Sequence, residues 1–112
     1  MKLAIFVRRD LDMRAGKIAV QVGHASVMAY RNDMSGLSET WYKKGQKKIV
    51  LKVPDEETLK KIEQCATEHY LDSCRIIDFG LTQIAPNTWT CLAVGPDEDE
   101  KIDEITKGYS LL

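Results

Sequence analysis

An α/β fold built on a mixed sheet is what this sequence predicts, on three observations. Four apolar, strand-like runs alternate with amphipathic helical stretches in the order β-α-(α)-β-α-β-β-α. The link between the third and fourth strands is too short for a crossover, so that pair is expected antiparallel, while the alternation elsewhere implies a parallel component. The 112 residues make one ordinary domain, 1–112, which can bury a core without help from a metal or disulfides.

The elements follow in order. Lys2 to Arg9 (KLAIFVRR) has the apolar centre of a buried strand. Asp10 to Arg14 is a polar link, with Asp12 a candidate N-cap for the helix after it. Ala15 to Arg31 reads as that helix, because Ile18, Val22, Ala25 and Ala29 recur at spacings of four and three and form an apolar stripe. Asn32 to Ser38 reads as a loop, and Glu39 to Lys44 as a short helix stopped at Gly45. Lys48 to Val53 (KIVLKV) is a strand ended by Pro54. Asp55 then caps a helix to about His69, with Leu59, Ile62 and Ala66 facing inward. Leu71 to Phe79 is a third strand, Gly80 to Asn87 a loop containing Pro86, and Thr88 to Gly95 a fourth strand. Pro96 takes the place of a proline at the first position of a last helix, to about Lys107, and acidic Asp97 to Glu100 would complement its dipole.

Apolar residues make up 44% of the chain and charged residues 29%, as in ordinary globular proteins. No apolar run reaches the length of a membrane span. Leu3 to Val7 is too short for a signal-peptide core and runs straight into Arg8 and Arg9, so a cytoplasmic protein is expected. Cys65, Cys74 and Cys91 form neither a disulfide framework nor a zinc pattern, and they read as buried or half-buried thiols acting as small hydrophobes. Charge is uneven along the chain: residues 1–52 carry 11 Lys and Arg against 4 Asp and Glu, and residues 53–112 carry 5 against 13. The basic half is either a footprint for a polyanion or an imbalance that folding mixes away.

Three places carry candidate chemistry. Lys17, Gln21 and His24 lie at i, i+4 and i+7, on a face expected to point away from the Ile18–Val22–Ala25 stripe. That face is either solvated or an anion site near a helix N-terminus. Asp78-Phe79-Gly80-Leu81-Thr82-Gln83 follows the third strand. Sites in α/β sheets gather at such strand ends, although a polar turn capped by Asp78 reads equally plainly. Trp41-Tyr42-Lys43-Lys44-Gly45-Gln46-Lys47-Lys48 suits a phosphate backbone with some stacking, or else a lysine-rich surface with Trp41 tucked inside. His69, at a helix end beside acidic residues, reads as surface. From the residues alone the chemistry stays underdetermined.

The same segments carry a resemblance. Val7-Arg8-Arg9-Asp10-Leu11 with Met13, Gly16-Lys17-Ile18-Ala19-Val20-Gln21-Val22-Gly23-His24-Ala25, Trp41 with Gly45-Gln46, Ile49 to Val53, Asp78 to Pro86, Gly95-Pro96 and the closing Leu111-Leu112 resemble the type II (archaeal and eukaryotic) peptidyl-tRNA hydrolases over essentially the whole chain. The resemblance implies a three-layer α/β/α sandwich on a four-stranded mixed sheet, usually a homodimer. It implies hydrolysis of the ester between a peptide and the tRNA 3′ ribose, with no metal or cofactor. Carried over by motif, the functional positions are Lys17, Gln21, His24, Asp78, Thr82 and Thr90. Two departures stand out. Val22-Gly23 replaces a common Cys-Ser, which removes a hydroxyl sometimes assigned to the site. Phe79 and Leu81 replace an alanine and an arginine in the turn, and Lys43, Lys44, Lys47 and Lys48 are the lysines that could supply phosphate contacts instead.

With no cysteine or serine in a matching motif, direct attack by water is expected rather than a covalent intermediate. Asp78 would orient or deprotonate the water, and Lys17 would balance the developing charge or hold the terminal phosphate. Thr82 and Gln21 would fix geometry, and His24 would assist as a base or pack as a structural residue. The rivals are a non-catalytic RNA-binding or protein-interaction module on the same fold, and a hydrolase for a different small ester.

Overall fold

A computed structural model describes residues 1–80 and 84–112. The elements are β1 (Lys2–Arg8), α1 (Ala15–Arg31), α2 (Ser38–Lys43), β2 (Lys48–Val53), α3 (Glu56–Glu68), β3 (Ser73–Asp78), β4 (Thr88–Asp97) and α4 (Asp99–Thr106). Four strands form one sheet in the order β2-β1-β4-β3. β1 runs parallel to β2 and antiparallel to β4, and β3 pairs antiparallel with β4, so the sheet is mixed as predicted.

The alternation of β1 divides the core into two layers. Ala4 and Phe6 point to one face, where they pack with Leu59, Ile62 and Ala66 of α3 and Ile102 and Ile105 of α4. Leu3, Ile5 and Val7 point to the other, with Ala25 and Ala29 of α1 and Trp41 of α2. Every residue from Leu3 to Val7 is fully buried, which is why that run carries no polar side chain. The result is an α/β/α sandwich. Asp55 caps α3 as expected, its side chain accepting from the Thr58 backbone N–H at 2.9 Å. At the outer edge of β2, Lys52 N–H donates to the Ser110 carbonyl and Leu112 N–H to the Val50 carbonyl, so the last residues cover that edge.

Two local expectations are corrected. Pro96 does not open the last helix: it is buried inside β4, and α4 begins at Asp99 with Glu98 in the cap position. The β1–β4 register shifts between Lys2 and Ala4, leaving Gly95 and Pro96 opposite a single residue. A proline, which has no N–H to offer a ladder, is tolerated in such a bulge. Asp12 does not cap α1; Arg14 holds that position in extended conformation without a side-chain cap bond. Asp12 instead sits at φ 51° with its N–H on the Arg9 carbonyl, in a turn too early to reach the helix. Among the described residues, no helix is long and apolar enough to cross a membrane.

Candidate active site

Lys17 and Gln21 do not lie on a face away from the apolar stripe. The buried line of α1 runs Lys17, Gln21, Ala25, Ala29, while Ile18 and Val22 are only half-buried. At 3.6 residues per turn these four positions drift slowly around the helix and present one arc to the sheet. Polar side chains are tolerated there because β3 and β4 meet them with polar partners. Lys17 Nζ donates to Asp78 Oδ1 at 2.5 Å, and both residues are only 8% exposed. Gln21 Nε2 lies 3.5 Å from the same oxygen, a long contact. Thr90 Oγ1 donates to Gln21 Oε1 at 2.5 Å.

Thr90 reaches Gln21 because the β3–β4 ladder slips. Ile76 pairs with Cys91 and Ile77 with Trp89, so Thr90 is the extra residue of a bulge. A bulge re-aims a side chain that regular pleating would assign to the other face. Thr90 is fully buried and Gln21 nearly so. Neither offers surface to an arriving molecule; Thr90 touches Gln21, and Gln21 in turn lies beside Asp78.

Asp78 closes β3 and begins a turn that only glycine can complete. Gly80 has φ +77°, and a Cβ there would stand 2.7 to 2.8 Å from Pro86. The Gly80 N–H donates to Asp78 Oδ2 at 2.8 Å, so both carboxylate oxygens are engaged. The hydrogen bond from Lys17, reinforced by the Gly80 N–H, holds the Asp78 carboxyl below the usual aspartate range against the opposing effect of desolvation. The group is therefore an anion at neutral pH and a weak base. Thr82 falls outside the described residues.

The pair opens onto a groove of about 790 Å³ between α1 and β3, where His24, Val20, Val27, Met28 and Phe79 stand on the walls. His24 is exposed on this wall, beside the pair. The apolar lining was missed in the sequence, although Val20 and Val27, one heptad apart, were a legible signal for a second stripe on α1. Trp41 is tucked inside, its indole N–H on the Lys47 carbonyl at 2.8 Å, and the four lysines around it are exposed. Lys47 is paired with Asp99 at 2.7 Å, and Lys48 lies over the Trp41 ring. Of the three cysteines Cys91 is buried and Cys65 and Cys74 are half-buried; burial pushes the Cys91 thiol up to about 12 and that of Cys74 up to about 11, which disfavours a thiolate at either.

Comparison with known proteins places the chain in a family. A family model described as peptidyl-tRNA hydrolase PTH2 matches residues 1–112. The chain belongs to that family. Peptidyl-tRNA hydrolases of Thermoplasma acidophilum and Methanopyrus kandleri are each 44% identical to it, over 99% of this chain and 97% of theirs. That of Nanoarchaeum equitans is 46% identical over 96% of both chains. A solved structure of a protein of unknown function from Agrobacterium tumefaciens superposes with a TM-score of 0.64 at 19% identity, over 99% of this chain and 96% of that one. At that identity the likeness concerns the fold. Within the peptidyl-tRNA hydrolase family, this chain's Gly23 is exposed on α1 with open space where a side chain would stand, and it does not line the groove.

Proposed function

We propose that this chain hydrolyses the ester joining a peptidyl group to the 3′ ribose of tRNA by direct attack of water, with Lys17 and Asp78 as its catalytic residues. Membership of the peptidyl-tRNA hydrolase family supports the activity. The buried Lys17–Asp78 pair at the mouth of the groove carries the mechanism. Water bonds to the ester carbonyl carbon, the bond from that carbon to the ribose oxygen breaks, and the proton lost by water passes to the ribose oxygen. The depressed Asp78 carboxyl suits orienting the water through a remaining lone pair more than fully deprotonating it. Lys17 supplies the fixed positive charge for the oxyanion, held in place by Asp78 before the substrate arrives. In this reading His24 carries the proton to the leaving oxygen, which its exposure on the groove wall supports. Gln21 and Thr90 position the carboxylate, and Thr82 completes the site in this reading.

The tRNA is bound through exposed basic residues, Lys44 and Lys48 foremost, with Lys43 and Lys47 joining them if their pairs with Glu39 and Asp99 open. The working form in this proposal is a cytoplasmic homodimer that needs no cofactor. Incubation with N-acetyl-aminoacyl-tRNA tests the core of it. Release of the blocked amino acid, with free aminoacyl-tRNA spared, is expected. Lys17→Ala is expected to lower turnover by roughly a hundredfold while the circular dichroism spectrum is kept. Near-normal turnover in that variant removes Lys17 from the mechanism, and no release by the native chain leaves the binding-module reading.

A further inference from the structure

The groove beside Lys17 and Asp78 has a character that the hydrolysis itself does not require. Val20, Val27 and Phe79 are 51%, 61% and 76% exposed, and with Met28 and Ile77 they make a continuous apolar surface along α1 and the edge strand β3. The lysine and the arginine in the lining are both paired. Lys17 is held by Asp78, and Arg75 is gripped by both carboxylate oxygens of Glu63 at 2.7 Å while its guanidinium stacks on Trp89. Apart from His24, such a surface offers little to a phosphate chain.

An ester has two sides. Its alcohol side here is a ribose on a polyanion, and its acyl side is an amino-acid residue with its side chain. With the carbonyl at the Lys17–Asp78 pair, only the acyl side suits the apolar groove. The geometry points to a side-chain subsite: this groove receives the residue esterified to the tRNA and favours large apolar side chains over small or charged ones, with Val20, Val27 and Phe79 setting the preference. Phe79 stands where the resemblance leads one to expect alanine, so the preference is a property of this chain. The inference rests on the hydrolytic reading above.

The test holds the tRNA constant and varies the amino acid, using N-acetyl-leucyl, N-acetyl-glycyl and N-acetyl-aspartyl esters of one tRNA. The leucyl ester is expected to show a kcat/KM at least about tenfold above the glycyl ester, the lower end of what even one buried methylene supplies, and further above the aspartyl ester. Phe79→Ser and the near-isosteric Val20→Thr/Val27→Thr double variant are expected to bring the leucyl-to-glycyl ratio toward one. These positions are exposed, so thermal unfolding of the variants should track the native chain. Equal rates on all three esters, or a ratio unchanged in both variants, overturns the subsite while leaving the hydrolase reading intact. No hydrolysis of any ester overturns both. A ratio unchanged in the double variant together with a dimer-to-monomer shift in light scattering assigns the surface to a second copy of this chain and likewise overturns the subsite.

Discussion

Thr90 has no exposed surface, so in the proposed mechanism it acts through Gln21, to which its hydroxyl donates. Thr90→Val keeps the shape but leaves Gln21 Oε1 without its hydroxyl donor. Urea unfolding should show a loss of about 1–3 kcal/mol, the cost of a buried polar atom left unpaired, and kcat should fall more than KM changes because only the carboxylate's placement is disturbed. Asp78 titrates with a sign that can be worked out. Its folded pKa lies below its ordinary value of 3.8. The stability it adds is therefore present in full above that ordinary value and is lost as pH falls through the lower folded one. Asp78→Asn, which also strands Lys17, should cost about 3 kcal/mol at pH 7. The gap from the native chain should shrink at pH 3 and close at lower pH. A gap independent of pH would show that the carboxylate's charge contributes nothing to the fold.

Among the elements, α1 serves two surfaces. One arc, Lys17–Gln21–Ala25–Ala29, is buried on the sheet, and the adjoining arc with Val20, His24 and Val27 faces the groove. Gly23 belongs to neither: it is exposed, in helical conformation, and an added Cβ meets nothing within 4 Å. A glycine inside a helix costs roughly 0.5–1 kcal/mol relative to alanine. Gly23→Ala should therefore stabilise the chain by about that amount in thermal melts, with hydrolysis of N-acetyl-aminoacyl-tRNA unaffected. A loss of activity would mean that position 23 takes part in the site after all. The helix periodicity in the sequence was sound: Ala25 and Ala29 are buried and Ile18 and Val22 pack against the same cluster, but the buried arc also takes in Lys17 and Gln21. Counting apolar residues alone cannot foresee a lysine and a glutamine buried against Asp78 and Thr90, which lie 61 and 69 residues away along the chain.

At the scale of the molecule, folding brings much of the basic first half against the acidic second half. Lys2 pairs with Asp103, Arg8 with Glu56, and Lys47 and the terminal ammonium with Asp99. The sequence imbalance thus overstates the basic surface, and what remains includes exposed Lys43, Lys44, Lys48 and Lys52. Binding of tRNA should weaken as a straight line in log salt. Lys44→Ala should flatten that slope by about one, as expected when one phosphate contact is lost. A slope unchanged in Lys44→Ala would place the tRNA elsewhere on the surface.

The sequence by itself determined the element order, the antiparallel pairing of β3 with β4, the cap at Asp55 and the candidate pair Lys17 and Asp78. Each of these depends on neighbours within a few residues or on a local motif. Tertiary structure alone decided that Pro96 sits in a strand bulge and not at a helix start, because that depends on the register of β4 against β1. It also decided that Lys17 and Gln21 are buried, through partners on distant strands, and that Thr90 points at Gln21 from a slipped ladder. The apolar groove beside the pair belongs to the same class, since it exists only where α1 crosses the edge of the sheet.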